Sequence, residues 1–370
     1  MNINPYVFPA INVVLDLQLF AEAGNLVNTT TGTVNAYTAA ATTSQDMTPG
    51  MKEYYNTQML ENHRERMIFG QLGKKQRLPA NHGKWVEWRK WKTLPDADKL
   101  TEGVIPTGKT FGQTSVKVEI AQYGEYVAIS DVLDTHHVDP VILGATEELS
   151  YATSLTNEKL TRAVLSQGTN VLMADLITAA GAYDSTPATR ADLVKSGCTS
   201  YLTPDMINKA VTKMRKEGVP YYSGNKYVCV IHPSCAYDLR KSPDWIEAHK
   251  YSATTEIFNG EIGELHGMRF IESNLAPVIY ESASLTVYQA MCFGKDAFGI
   301  IDPEGAGMET IIKDRAQVGG PLNQFSTVGC KFSTGAKILY HERLLTIECT
   351  SSYGNADVPA GTYSAGDIVN

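Results

Sequence analysis

Lys84-Trp85-Val86-Glu87-Trp88-Arg89-Lys90-Trp91-Lys92 is the stretch on which the reading of this chain turns. In a strand, successive side chains fall on opposite faces. One face would carry Trp85, Glu87, Arg89 and Trp91; the other would carry Lys84, Val86, Trp88, Lys90 and Lys92. Neither face is cleanly apolar, which argues against a strand lying on a private core. The expected return strand is residues 114–120, with Val116, Val118 and Ile120 on one face and Ser115, Lys117 and Glu119 on the other. Between the two strands lie Gly103, Pro106, Gly108 and Gly112, the composition of a long flexible tip. A bare two-stranded ribbon is marginal in water. The hairpin therefore needs something to lie against, and Trp and Arg are the residues that anchor protein interfaces.

Upstream, residues 21–48 are rich in Thr, Ala, Asn and Gly and have few large apolar groups. Such a stretch buries too little surface to offset its ordering entropy, so an arm is expected, ordered only where something covers it. Thr48 as N-cap and Pro49 in the first turn predict a helix through Met51, Tyr55 and Met59 to Phe69, stopped by Gly70. Downstream, Asp139 as N-cap and Pro140 open a second helix through Ile142, Ala145, Leu149, Ala152, Leu160 and Val164, ending at Gly168. Continuous, it would run roughly 40 Å, long for an enzyme domain and useful as a spine.

From about residue 200 to 320 the texture is α/β. Thr203-Pro204, His232-Pro233 and Ser242-Pro243 are helix starts, and residues 227–231, 268–271, 285–293 and 298–301 are strand candidates. Residues 329–334 and 337–348 are two further expected strands, and 351–370 look like a small, polar tail with no assignable task.

With 370 residues, the chain can hold two or three compact units, and 43% hydrophobic with 19% charged residues means that most of it folds. A net charge of -8 argues against tight nucleic-acid binding, which gains affinity from the Lys and Arg that displace counterions. It is compatible with a wall that encloses nucleic acid without gripping it. The opening residues lack a basic cluster ahead of an apolar run, and Asn12, Asp16 and Gln18 interrupt what apolar character there is, so neither a secretory signal nor a membrane span is expected. The six cysteines are scattered, and reduced, buried, packing thiols are the expectation.

No pattern points to catalysis or to a cofactor or metal. Cys229, His232 and Cys235 are close in sequence but lack the spacing of a zinc site. His136-His137 between Asp134 and Asp139 fit a helix entrance better than an acid–base pair. Asp302, Glu304 and Glu309 form no paired carboxylates on one element. Glu304-Gly305-Ala306-Gly307 lacks the third glycine and the strand-to-helix setting of a phosphate or dinucleotide loop. The Trp/Lys/Arg strand could serve as a single-strand nucleic-acid platform. Its tryptophans fall on both faces, however, which favours a subunit-contact arm. A nucleic-acid-binding module and an intracellular α/β enzyme are the alternative classes.

A series of stretches, in one order over nearly the whole chain, resembles a known family. They include Leu17-Gln18-Leu19-Phe20-Ala21, Met51-Lys52-Glu53-Tyr54-Tyr55, Leu100-Thr101-Glu102-Gly103-Val104 with Pro106 and Gly108, and Gln122-Tyr123-Gly124-Glu125-Tyr126-Val127. Further along come Gly168-Thr169-Asn170-Val171, His232-Pro233 with Tyr237-Asp238-Leu239-Arg240, and Ile257-Phe258-Asn259-Gly260-Glu261-Ile262-Gly263 before Arg269-Phe270-Ile271-Glu272. The chain resembles the tailed-bacteriophage major capsid proteins of the Hong Kong ninety-seven fold, in the branch related to the N-four phage capsid protein.

The resemblance implies an α+β fold with an N-terminal arm and one helix in 1–81, an extended hairpin loop in 82–128, and a peripheral domain with the spine helix in 129–199. An axial α/β domain would follow in 200–320, return strands of the peripheral domain in 321–350 and a tail in 351–370. It implies self-assembly into an icosahedral shell, as hexamers and pentamers, around packaged double-stranded DNA held non-specifically. Portal, scaffolding and decoration proteins are implied as further partners, with a virion location and assembly in the host cytoplasm. No membrane is involved. Trp85, Trp88, Arg89, Trp91, Glu102, Pro106 and Lys109 are the expected subunit-contact residues.

Overall fold

The computed structural model describes residues 64–65, 67–103, 105–136, 140–249, 261–282, 285–305, 307–318, 322–353, 358 and 361–370, together with the backbone of three strands nearer the start. The chain divides into two units, Met1–Asn62 and His63–Asn370. In the first, Leu26–Thr29, Gly32–Asn35 and Ala41–Thr42 form an antiparallel three-stranded sheet. The expected arm thus contains paired strands, because main-chain hydrogen bonds need no large side chains. The helix expected from Thr48 lies largely outside the described residues. Of its end, 64–65 and 67–68 are not helical, and helix spans only Phe69–Leu72, with Gly70 inside it rather than stopping it.

The second unit contains two main sheets and a long helix. The larger sheet is mixed and centres on Leu285–Phe293, an apolar run buried along its whole length. Tyr227–Ile231, also wholly buried, pairs antiparallel with its far end and parallel with Met268–Glu272. Glu261–Leu265 flanks the latter, and Val278–Ser282 and Leu344–Cys349 pair with the central strand.

Three helices begin where Pro at the first turn is preceded by a capping side chain. Thr203 Oγ1 accepts the Met206 N–H at 3.4 Å to start Pro204–Lys216, and His232 Nδ1 accepts that of Ser234 at 3.3 Å to start Pro233–Lys241. Ser242 Oγ accepts that of Trp245 at 3.3 Å to start Pro243–His249. Met206, Ile207, Ala210, Val211 and Met214 line one face of the first and pack into a core with Tyr227, Cys229, Ile231 and Phe270.

The second sheet is built on Phe325–Ile338, a single strand of 14 residues where the sequence suggested a break. Phe325 to Thr334 pair with Ala121–Ser130, and Gly335 to Ile338 pair with Phe298–Pro303. Gly335 stands at the change of partner, where a Cβ would sit 3.0 Å from the Glu119 carbonyl oxygen. After a turn at His341–Arg343 the chain enters Leu344–Cys349, which belongs to the larger sheet. The break between the two expected strands thus falls at 339–343 rather than at 335–336, and the expected strand 337–348 is divided between the two sheets.

The spine helix spans Val141–Leu165, about 38 Å at 1.5 Å per residue. Its intended cap, Asp139, lies outside the described residues, and Pro140 occupies the N-cap position. Near its start, Leu149 packs with Ile129, Val328 and Cys330 of the second sheet. Its last residue, Leu165, is buried with Phe69 of the short helix and with Phe293, Phe298 and Leu344, contributed by both sheets. One helix thus ties the sheets together.

The supposed tail has a docked end. Asp367–Ile368 pairs with Val278–Ser282, Val369 is buried, and Asn370 is held by several hydrogen bonds. Pairing at a sheet edge requires little apolar surface, which is why composition did not reveal it.

Candidate subunit-contact surfaces

The hairpin strands are Trp85–Trp91 and Gln113–Glu119, in a register that sets Trp85 against Glu119, Trp88 against Val116 and Trp91 against Gln113. The two faces differ more than their composition suggested. Val86 and Val118 are buried against Ile301 of the second sheet, with Trp88 packed beside them. Gly299 makes room for that indole, since a Cβ there would lie 2.8 Å from Trp88 Cζ2. Lys90 places its ammonium 4.8 Å from the centre of the Tyr340 ring. The hairpin root is thus seated on its own subunit, correcting the expectation that neither face meets a private core. The correction follows from alternation: Val86 and Trp88 suffice once Val118 and Ile301 complete the cluster.

The opposite face is turned outward. Trp85 is 58% exposed and Trp91 63% exposed, flanked by Glu87 and by Arg89, whose Nε lies 3.7 Å from Glu87 Oε1. The Ser115 hydroxyl, with the charges of Lys117 and Arg89, holds the Glu87 carboxyl below the usual range. Trp91 stacks on Phe111 with ring centroids 4.4 Å apart and planes 17° from parallel. Phe111, itself exposed, escaped the sequence reading because it stands alone in a Gly/Thr-rich tip.

Residues 92–112 form the tip, and those described carry no helix or strand. Lys109 reaches back across it, bonding the Asp96 carbonyl oxygen and approaching that of Pro95 at 3.4 Å and the Asp98 carboxylate at 3.3 Å. It staples the tip's two limbs together. Glu102 and Pro106 are exposed, as are Leu94, Leu100 and Ile105, the last at 93%.

Of the seven expected contact residues, Trp85, Arg89, Trp91, Glu102 and Pro106 thus face outward. Trp88 turns to the body, and Lys109 is engaged within the tip. Tyr126, Val127, Val132, Leu133, Leu143 and Phe325 are further exposed apolar side chains.

Among the described residues, no three His, Cys, Asp or Glu side chains gather as a metal site, and no helix is long and apolar enough to cross a membrane. Cys229 and Cys235 are fully packed in the larger core. Asp134 is committed to an ion pair with Arg315 at 2.7 Å.

No curated protein matches the chain by sequence. Solved structures do match by fold. The capsid of cyanophage P-SCSP1u aligns with a TM-score of 0.59 at 16% identity, covering 81% of this chain and 93% of that one. The capsid of Ralstonia phage GP4 gives 0.60 at 15%, covering 85% and 98%. The head of Helicobacter pylori bacteriophage KHP40 gives 0.64 at 10%, covering 82% and 96%. A family model described as phage capsid protein matches residues 113–323, from the return strand of the hairpin through the spine helix and most strands of the larger sheet. With that match spanning more than half its length and the expected α+β fold in place, the chain belongs to the phage capsid protein family.

Proposed function

We propose that this chain is the major capsid protein of a tailed phage, many copies of which close as hexamers and pentamers into an icosahedral head enclosing double-stranded DNA. The observation that carries this reading is the two-faced hairpin. One face is fixed to its own subunit by Val86, Trp88 and Val118, while Trp85, Trp91, Phe111 and the tip present large apolar groups outward. A seated root with an outward apolar face suits a limb that lies on a neighbouring copy. Such contacts, individually modest, become strong when each subunit makes several at once.

In this reading the arm, the hairpin loop, the peripheral domain around the spine helix, and the axial domain formed by the larger sheet divide the work of contacting neighbours. The net charge of -8 suits a wall that does not grip the DNA passing in and out. Portal, scaffolding and decoration proteins would be further partners, and assembly would take place in the host cytoplasm. The role is structural, not enzymatic.

Deleting residues 101–109 tests it. The expected result is a folded subunit that no longer forms normal shells under negative-stain microscopy. Unaltered particles from the deletion would overturn the role given to the hairpin.

A further inference from the structure

Four of the six free cysteines converge in the core around the larger sheet, each from a different element. Cys292 Sγ lies 3.4 Å from Cys229 Sγ and 3.6 Å from Met268 Sδ. Cys235, in the first turn of its helix, lies 3.6 Å from Cys349 by the same measure. Cys229 and Cys292 are direct partners in antiparallel register. Residues so opposed have Cα atoms about 4.5–5.5 Å apart, inside the window of about 4.4–6.8 Å that a disulfide spans. Packing alone needs small apolar groups at these positions, and it does not require that thiols meet thiols in pairs.

We propose that these four thiols are two latent disulfides, Cys229–Cys292 and Cys235–Cys349, which close when a peroxide-class oxidant reaches the folded subunit. In each pair one thiolate attacks the O–O bond of the peroxide, giving a sulfenic acid and releasing hydroxide, which takes up the proton lost by that thiol. The second sulfur then attacks the sulfenic sulfur, expelling water as the S–S bond forms. The two sulfurs together lose two electrons, and one peroxide becomes two waters.

Burial sets the rate. It pushes the Cys229 thiol well up, and the bond to Cys349, together with burial, does the same for Cys235. A protonated thiol is a poor nucleophile, so closure waits for local opening of the core. The subunit therefore stays reduced where thiol reductants are abundant. Closure after release from the cell rests on the shell reading; the pairing itself does not.

The test uses the full-length protein, assembled or not, so its outcome is independent of shell formation. One sample is acid-quenched directly from cells; another is treated with hydrogen peroxide. Both are then denatured, alkylated and peptide-mapped. Cys198, partly exposed, reports that the oxidant has acted. The expected result is that all four core thiols are alkylated in the quenched sample. After peroxide, peptides are linked 229 to 292 and 235 to 349, with two hydrogen atoms lost per bond. Cys229→Ser should abolish the first link and keep the second. Oxidised Cys198 beside four free core thiols, or scrambled links, would overturn the pairing; links already present in the quenched sample would overturn the latency.

Discussion

The buried guanidinium of Arg162, on the spine helix, donates to two oxygens of Asn370, to Oδ1 at 3.1 Å and to the main-chain oxygen at 2.5 Å. It also donates to the Leu275 carbonyl oxygen at 3.2 Å. Asn370 Nδ2 in turn donates to the carbonyl oxygens of Asn274 at 2.7 Å and Ala276 at 2.8 Å. Two residues thus clamp the spine helix, the loop before Val278–Ser282 and the final segment together. Asn370→Ala leaves a buried charge under-bonded and should cost about 1–3 kcal/mol. Urea unfolding of the isolated subunit measures it; a loss indistinguishable from zero would contradict the clamp.

Glu158 performs a similar task one turn earlier. Its buried carboxylate accepts the N–H groups of Ile68 and Phe69, each at 2.5 Å, and that of Gly70 at 3.0 Å, capping the helix Phe69–Leu72. Glu158→Gln turns an amide donor toward backbone donors and removes the charge that strengthens these bonds. A loss of about 2 kcal/mol is expected, with faster amide exchange at residues 68–72. Unchanged exchange there would contradict the assignment.

Gly299 should tolerate no side chain, because Trp88 occupies the space. Gly299→Val is expected to cost about 1–3 kcal/mol and to shift tryptophan emission to the red as the hairpin root lifts. Gly144, in the spine helix, meets nothing within 4 Å of a built Cβ. Gly144→Ala should therefore stabilise by about 0.5–1 kcal/mol. Equal effects of the two substitutions would contradict the packing described.

Much of this architecture was legible in the residues, because patterns of burial and capping are local. The run from Leu285 to Phe293 announces a buried strand, and Thr203-Pro204 before Ile207, Ala210 and Met214 announces a helix with one apolar face. Other elements are set by distant partners. Lys74–Leu78 reads Lys-Lys-Gln-Arg-Leu, with no alternation of its own, and is a strand because it pairs parallel with Phe298–Pro303. Glu158 and Arg162 look like solvent-facing charges until backbone groups some ninety positions upstream and Asn370 are brought against them. At the hairpin, composition left neither face of the first strand cleanly apolar and could not say that Ile301 and Gly299 would claim Trp88.

Acid should loosen the segment 176–199 early. The Lys195 ammonium and then the Ser185 hydroxyl hold the Asp184 carboxyl below its usual range, and the Thr189 hydroxyl and N–H do the same for Asp192. A folded pKa below the unfolded one means that the unfolded state binds more protons in that range, so the stability is present at neutral pH and lost as pH falls. Hydrogen exchange across 176–199 should rise as pH drops through the carboxylate range, after correction for intrinsic rates. Asp184→Asn should reduce that dependence. A pH-independent profile would contradict the contribution of these carboxylates.

The central claim is that the outward hairpin face is satisfied only by another copy of this chain. A cryo-electron microscopy map of assembled particles tests it most directly. The account predicts density from a neighbouring subunit packed on Trp85, Trp91 and Phe111, with Trp88 still seated beside Gly299 of its own subunit. Particles in which those three rings face solvent in every subunit would contradict it.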